Sequence, residues 1–390
     1  MRRKKYEDEY DEQYAGYAED FDAYDPAFSE EAAAQTHAEQ IQQQHQNKKK
    51  RKKRNFAILI VVVLALLVGE FTILMKRWVS PPELNSTLSD GNQMDAVVPD
   101  NVVEGRKDGC YTFLIAGKDE AAGLTDTILV GMLDTKNGAL KFISIPRDTA
   151  VNISWSPKKI NQYYPAAINN GKDGVEALLS GTEKILGYRV DSYAIFDVDV
   201  FVELVDTMGG VEFDVPINMD YDDPSQDLYI HVKKGIQKLD GYDTMCVFRY
   251  RSTYADGDIG RLNVQHDLLK AMTKQLLTLG NIPNIKKLVD IYEKNVITNL
   301  SAGNVMFYVQ EFLKLKDENI TFETIPANYN GSKNGMSYVF IHLDEWLTYV
   351  NTYLNPYKSD ITVDNVDIIY EAANGNVTST TGTIAGNNRW

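Results

Sequence analysis

The longest uninterrupted apolar stretch runs from Phe56 to Met75, FAILIVVVLALLVGEFTILM, and carries one charged residue, Glu70. As a helix it covers about 30 Å, the thickness of a hydrocarbon core. Glu70 sits near its far end, where a carboxylate reaches the headgroup region. The stretch starts too late and is too long for a cleaved signal peptide, and no small-residue cleavage site follows it. A transmembrane helix is therefore predicted over 55–78. Residues 79–108, which open with Ser-Pro-Pro, show no sustained periodicity and read as a stalk. Beyond them the pattern alternates. Tyr111–Ala116, Thr127–Leu133 and Leu140–Ile145 are β-rich runs, and Asp134-Thr-Lys-Asn-Gly138 reads as the hairpin turn between the last two. Helical patterns cover 161–170, 174–186, 200–207, 239–247, 260–279, 301–315 and 343–353. Further strands are predicted at 192–196, 211–215, 247–251, 319–324 and 337–341. Strands interspersed with helices argue for a layered α/β domain over 109–355. The stretch 356–390 ends in Asn, Gly, Thr and Ser and is predicted to be a flexible tail.

Charge separates the remaining segments. The chain carries a net −15 over 390 residues. Residues 1–47 hold 4 basic and 12 acidic residues, whereas 48–54 are Lys-Lys-Lys-Arg-Lys-Lys-Arg. Seven basic residues before the apolar stretch and two after it place 1–54 in the cytoplasm and 79–390 outside. The acidic tail, with tyrosines 6, 10, 14, 17 and 24 among its acids, buries too little to fold alone. The whole net −15 falls on 79–390, which argues against nucleic-acid binding through bulk charge.

Several chemistries are absent. The sequence contains no Gly-x-x-x-x-Gly-Lys-Ser/Thr, no Gly-x-Ser-x-Gly and no His-Glu-x-x-His. Its five histidines are scattered, so catalysis would rest on carboxylates and arginines. Three clusters supply them. Asp119 follows one apolar strand and Asp126 opens the next; on antiparallel neighbours both carboxylates reach the same sheet edge, a pairing suited to Mg²⁺ with phosphate and water oxygens, although turn-capping aspartates give the same pattern. Ser144-Ile-Pro-Arg147-Asp148-Thr149 holds an arginine at a strand end, suited to bidentate phosphate recognition or to a local pair with Asp148. Phe248-Arg249-Tyr250-Arg251 is followed by Asp258-Ile-Gly-Arg261; if 248–251 are extended, Arg249 and Arg251 share one face, and Arg261 opens a helix. A concentrated arginine site in an acidic domain points to a pyrophosphate ligand.

In this order along the chain, Phe113–Asp119, Asp126–Val130, Ser144–Thr149, Lys159-Ile-Asn161, Val205-Asp-Thr-Met-Gly-Gly-Val211, Leu239-Asp-Gly241, Phe248–Arg251 and Asp258–Arg261 resemble the LytR-CpsA-Psr family, across about 109–280. The resemblance implies a single-pass, membrane-anchored extracellular α/β/α sandwich with a central mixed sheet and a hydrophobic tunnel for a polyprenyl tail, at the cell membrane of a Gram-positive-type bacterium. It implies a phosphotransferase that moves an anionic glycopolymer, of wall teichoic acid or capsular type, from a polyprenyl-pyrophosphate-linked donor to peptidoglycan. Asp119 and Asp126 map to its Mg²⁺ ligands. Arg147, Arg249, Arg251 and Arg261 map to its pyrophosphate contacts. Arg147, Arg261 and Asp258 are the candidate catalytic groups, Asp258 as a base or orienting residue.

Two positions depart from the family pattern. Val264 stands where a second arginine usually follows Gly-Arg-x-x, and Leu124-Thr125 precede Asp126 in place of Arg or Ser. Both changes are expected to remove polar contacts near the phosphate. Leu268, Leu269, Met272, Leu276 and Leu277 form a helical apolar stripe that lines either a core or the tunnel. Two other readings use the same residues: a polyprenyl-pyrophosphate receptor signalling through 1–54 to a cytoplasmic partner, and a lipid pyrophosphatase with water as acceptor. Cys110 and Cys246 stay open between free thiols and a disulfide, which an outside compartment permits.

Overall fold

In a computed structural model of the chain, residues 79–85, 105–118, 123–224, 228–252, 254, 258–276 and 284–386 are described, without the side chains of Asp258 and Ile259. All of them fall in one compact unit, Arg77–Trp390. The predicted span over 55–78 and the acidic tail lie outside the described residues. Among those described, no helix is long and apolar enough to cross a membrane.

The elements follow in chain order. Strands β1 (Cys110–Lys118), β2 (Thr125–Asp134) and β3 (Ala139–Ser144) lead into helices α1 (Tyr163–Asn169) and α2 (Gly174–Leu186). Strand β4 (Ser192–Asp197), helix α3 (Val198–Thr207) and strands β5 (Val211–Val215), β6 (Met219–Asp223), β7 (Leu228–Val232) and β8 (Gly235–Leu239) come next. Helices α4 (Gly241–Arg249), α5 (Asp258–Leu276) and α6 (Ile285–Asn295) precede the short β9 (Ile297–Thr298) and helix α7 (Ala302–Phe312). Strands β10 (Ile320–Thr324), β11 (Ala327–Lys333) and β12 (Met336–Ile341), helix α8 (Leu343–Tyr353), and strands β13 (Ile369–Glu371) and β14 (Val377–Ser379) complete the chain.

Six strands form the central sheet in the order β10-β3-β2-β1-β4-β9. β1 runs antiparallel to β2 and parallel to β4; β3 runs antiparallel to β2 and parallel to β10. The sheet is therefore mixed, and β1, β3, β4 and β10 point the same way. Their C-terminal ends share one edge with the start of β2, the end of a sheet where α/β folds place their ligands. The Asp134–Gly138 turn is the hairpin the sequence predicts, with Asp134 Oδ1 accepting from the amides of Lys136 and Asn137.

Alternation along the strands gives the sheet two apolar faces. On one, Leu114, Ala116, Ile128, Val130 and Ile143 pack with Tyr163 of α1, Leu178 of α2 and Trp346 of α8. On the other, Phe113, Leu133, Leu140 and Phe142 pack with Tyr308 and Phe312 of α7. Gly131 has to be glycine, because a Cβ there would lie 2.3 Å from Cζ of the Phe113 ring. A separate apolar cluster gathers β5–β8 with α4 and α5 through Val211, Phe213, Ile230, Val247, Val264 and Leu268.

The structure corrects three of the sequence readings and closes one that the sequence leaves open. Residues 247–251 are not a strand. Asp240 caps α4 by accepting from the Asp243 amide, and the buried Thr244, Met245 and Val247 continue the helix to Arg249; only from Tyr250 is the backbone extended. Residues 356–386 are not a flexible tail. Tyr357, Ile361, Val366, Ile368 and Ile369 are buried, β13 and β14 form a hairpin, and the Lys158 ammonium donates to the Ala385 carbonyl at 2.8 Å. Short apolar residues spaced by polar ones pack this segment without a long hydrophobic run. Within the predicted stalk, residues 79–85 are part of the folded domain: Asn304 of α7 donates to the carbonyls of Ser80 and Pro81, and the Asn85 amide donates to Asp191 at 2.7 Å. Finally, Cys110 and Cys246 are both free and buried in different apolar clusters, and burial pushes each thiol up to about 11.

Candidate functional site

The turn after β3 presents Arg147. The Pro146 carbonyl accepts from the Thr149 amide at 2.9 Å and the Thr149 hydroxyl at 2.6 Å, which closes the turn. The Asn161 amide donates to the Arg147 carbonyl, and Lys159 pairs with Asp148 at 2.9 Å. The Lys159-Ile-Asn161 string thus serves to hold the turn that carries Arg147.

Across the sheet edge stands Asp126, the second residue of β2. Its two carboxylate oxygens accept from one Arg147 nitrogen at 3.1 and 3.0 Å. An Arg251 nitrogen lies 3.6 Å from the same carboxylate. Arg251 reaches it because α4 stops at Arg249 and Tyr250 turns the chain into extended conformation. Burial lowers the pKa of Arg251, and the like charges of Arg147, Arg261 and Arg249 add to this against the pull of Asp126. One carboxylate faces a surplus of cationic charge, the electrostatic setting for a phosphate-bearing ligand.

The cluster lies where two cavities meet. One, of about 450 Å³, runs along the second sheet face beneath the helices. Ile115, Leu129, Ala194, Phe196 and Phe322 from the sheet, Phe201 and Leu204 from α3, Leu269, Met272 and Leu276 from α5, and Val305 and Val309 from α7 line it. Its polar rim holds Lys118, Asp126, Asp197, Arg249 and Arg251. The second cavity, of about 200 Å³, is lined by Asp126, Arg147, Asp148, Arg251, Arg261, Gln265, His266 and Tyr329. Asp126, Arg251 and Gln265 border both. Gln265 donates to the Phe248 carbonyl at 2.8 Å and ties α5 to the end of α4.

The sequence's candidates therefore converge, with exceptions. Asp126, Arg147, Arg251 and Arg261 share the polar cavity, and Arg249 lies at the rim of the apolar one. Asp119 lies outside the described residues. Asp258 begins α5, and its side chain is not described. Asp126 offers the hard oxygen donors that Mg²⁺ takes alongside phosphate and water; among the described residues no group of three or more His, Cys, Asp or Glu side chains is placed to hold a metal.

Val264 does not border either cavity. It is buried in the apolar cluster of β5–β8, so at this departure from the family pattern the side chain serves packing and not the polar site. Of the α5 stripe, Leu269, Met272 and Leu276 line the apolar cavity, Leu268 is core, and Leu277 lies outside the described residues. Gln265 and His266 are the site residues that sequence reasoning passed over. Helical spacing from Arg261 and Leu262 would have placed them on the same side of α5.

A mixed sheet covered by helices on both faces, with an arginine cluster at its C-terminal edge above an apolar cavity, defines a class of α/β domain in which a large apolar pocket opens beside a cationic polar one. The chain belongs to the LytR_cpsA_psr family, which it matches over residues 81–353. It is 31% identical over 228 residues to the polyisoprenyl-teichoic acid–peptidoglycan teichoic acid transferase TagV of Bacillus subtilis, covering 56% of either chain. It is 29% identical over 235 residues to TagU of Bacillus cereus, a transferase of the same description, covering 59% of this chain and 73% of that one. The crystal structure of B. subtilis TagV superposes with a TM-score of 0.51 at 26% identity, over 63% of this chain and 96% of that one.

Proposed function

We propose that this protein is a phosphotransferase that joins an anionic glycopolymer, of teichoic acid or capsular type, from a polyprenyl-pyrophosphate-linked donor to peptidoglycan. The observation that carries this reading is the junction of the two cavities at Asp126 and Arg251, with Arg147 paired to Asp126 on the polar side. An apolar cavity takes the isoprenoid chain, and the arginines at its head take the pyrophosphate. The names of the TagV and TagU relatives support the same chemistry.

In this reading Arg251 and Arg249 bind the lipid-side phosphate at the cavity rim. Arg147 and Arg261 bind the phosphoryl group being transferred and stabilise the charge that spreads over its oxygens. Asp126 holds Arg147 in place. Asp126 and Asp119 would hold Mg²⁺, which as a Lewis acid polarises phosphoryl oxygens. No nucleophilic side chain is required, because the acceptor hydroxyl attacks phosphorus directly. The span at 55–78 would keep the domain at the outer leaflet, where a lipid donor is confined, with 1–54 in the cytoplasm.

The test is release of lipid phosphate by the full chain in detergent with Mg²⁺ and a polyprenyl-pyrophosphate oligosaccharide, with and without uncrosslinked peptidoglycan. Acceptor-dependent release is expected. Equal release without acceptor would replace the proposal with a lipid pyrophosphatase. Tight donor binding without release would make the protein a receptor.

A further inference from the structure

The two cavities differ in what they admit. In the transferase reading, the apolar one takes the lipid end of a donor and the phosphates sit at the shared border. In-line displacement at phosphorus places the attacking oxygen opposite the leaving group. The acceptor hydroxyl therefore enters through the polar cavity, which raises the question of which group there takes its proton.

The polar cavity offers few proton acceptors among the described residues. Arg147, Arg251 and Arg261 are permanent cations. Asp126 is engaged by two arginines, and Asp148 is paired with Lys159. The Tyr329 hydroxyl donates to the Ile325 carbonyl, and burial raises its pKa. His266 is different. It is half-buried on α5, borders the polar cavity and not the apolar one, and is fixed by the Thr324 hydroxyl, 3.3 Å from its Nε2. The Phe322 ring lies beside it at 6.5 Å between centroids. A hydroxyl partner can donate to the neutral ring or accept from the protonated one, so Thr324 fits both states.

Resting on the transferase reading, we propose that His266 is the general base of the reaction, taking the proton of the acceptor hydroxyl inside the polar cavity. The step balances simply. The acceptor O–H proton passes to an imidazole nitrogen as the acceptor O–P bond forms. The P–O bond to the lipid phosphate breaks, and that phosphate leaves with the electron pair. His266 then returns its proton to solvent. Burial holds the imidazole below its ordinary value of 6.5, against the opposing carboxylates of Asp267 on its own helix and Glu323 on β10, so it is neutral and able to accept at neutral pH.

The test measures acceptor-dependent lipid phosphate release against pH with the full chain in detergent, for wild type, His266→Gln, His266→Asn and Asp258→Asn. Thermal unfolding and retention of the labelled donor are measured in parallel. The expected result is a loss of turnover of roughly 100-fold or more in both His266 variants with donor retention kept, the range general-base catalysis supplies. Wild type should show an acid limb with a midpoint below about 6.5, absent in the residual activity of both His266 variants. An unchanged rate and acid limb in His266→Gln would overturn the proposal, as would an acid limb removed only by Asp258→Asn. Loss of donor retention in both His266 variants would overturn it too, by making the imidazole a binding group. Wild-type chain that never transfers would instead remove the transferase reading, a separate outcome.

Discussion

Arg147 is held from both sides, by the turn closed on Pro146 and by the Asp126 carboxylate, so its guanidinium is aimed before any ligand arrives. Preorganised donors of this kind contribute about 100- to 1,000-fold to rate. Arg147→Ala should lose that much turnover, and Arg147→Lys should recover only part of it, since an ammonium lacks the planar fork; steady-state rates with the same donor check both. Val264 makes an opposite case. Its site is apolar, so Val264→Arg, which restores the usual family residue, should lower stability by about 2 kcal/mol or more through burial of an unpaired charge. A shift of the denaturant midpoint measures it, and an unchanged midpoint would count against the packing described. His266 sets a third expectation. Its folded pKa lies below 6.5, so the unfolded chain takes the proton first as pH falls. Its contribution to stability is therefore lost as pH drops below 6.5, and that part of the pH dependence should be absent in His266→Gln. At this scale the arginines were legible in the sequence because their charge stands out against an acidic domain. His266 was not, because a lone histidine on a helix carries no signal until the fold shows what it faces.

Elements explain how distant residues meet. β1 through β3, α2, β4, α3, β5 and α8 follow hydrophobic period and turn chemistry closely, and the sequence places them within a few residues. The misses have physical causes. Val247 to Arg251 looks extended by composition, yet the Asp240 cap and the burial of Thr244 and Val247 extend the helix. This changes how the arginines converge: Arg249 ends a helix and Arg251 lies beyond it, so they reach the rim from different backbone states rather than from one strand face. The hairpins β6–β7 and β13–β14 are short and polar on one side, too weak a period to read alone. The ends of the described domain are clamped by charge rather than by apolar runs. Arg106 and Asp191 form a fully buried ion pair, and Asp191 also accepts from Thr112 and Asn85. Removing one partner leaves an uncompensated buried charge, so Asp191→Ala should cost about 3–5 kcal/mol, read from chemical denaturation. A loss below about 1 kcal/mol would show that the clamp is not what fixes residues 79–85 to the domain.

For the whole molecule, the charge distribution and the cavity pair carry one consequence. The net −15 on 79–390 repels an anionic polymer in general, so attraction is confined to the arginine cluster. Under the proposed function, a lipid-confined donor would be met at the membrane, where the stretch Phe56–Met75 would hold the domain. Deleting 56–75 is expected to release the protein from the membrane fraction after cell breakage, whereas the full chain should stay there through a high-salt wash; release of the full chain by salt would show attachment by charge alone. The central claim is that the cluster joining the two cavities transfers a phosphate-linked glycopolymer to a glycan. Mass spectrometry of the glycan fragments after digestion tests it most directly, with the full chain, donor, Mg²⁺ and uncrosslinked peptidoglycan. The account predicts glycan fragments bearing the donor oligosaccharide through a phosphodiester with wild type, and their near absence with Arg147→Ala. Phosphodiester-linked fragments formed equally well by Arg147→Ala, or none formed by wild type while the donor is bound, would contradict it.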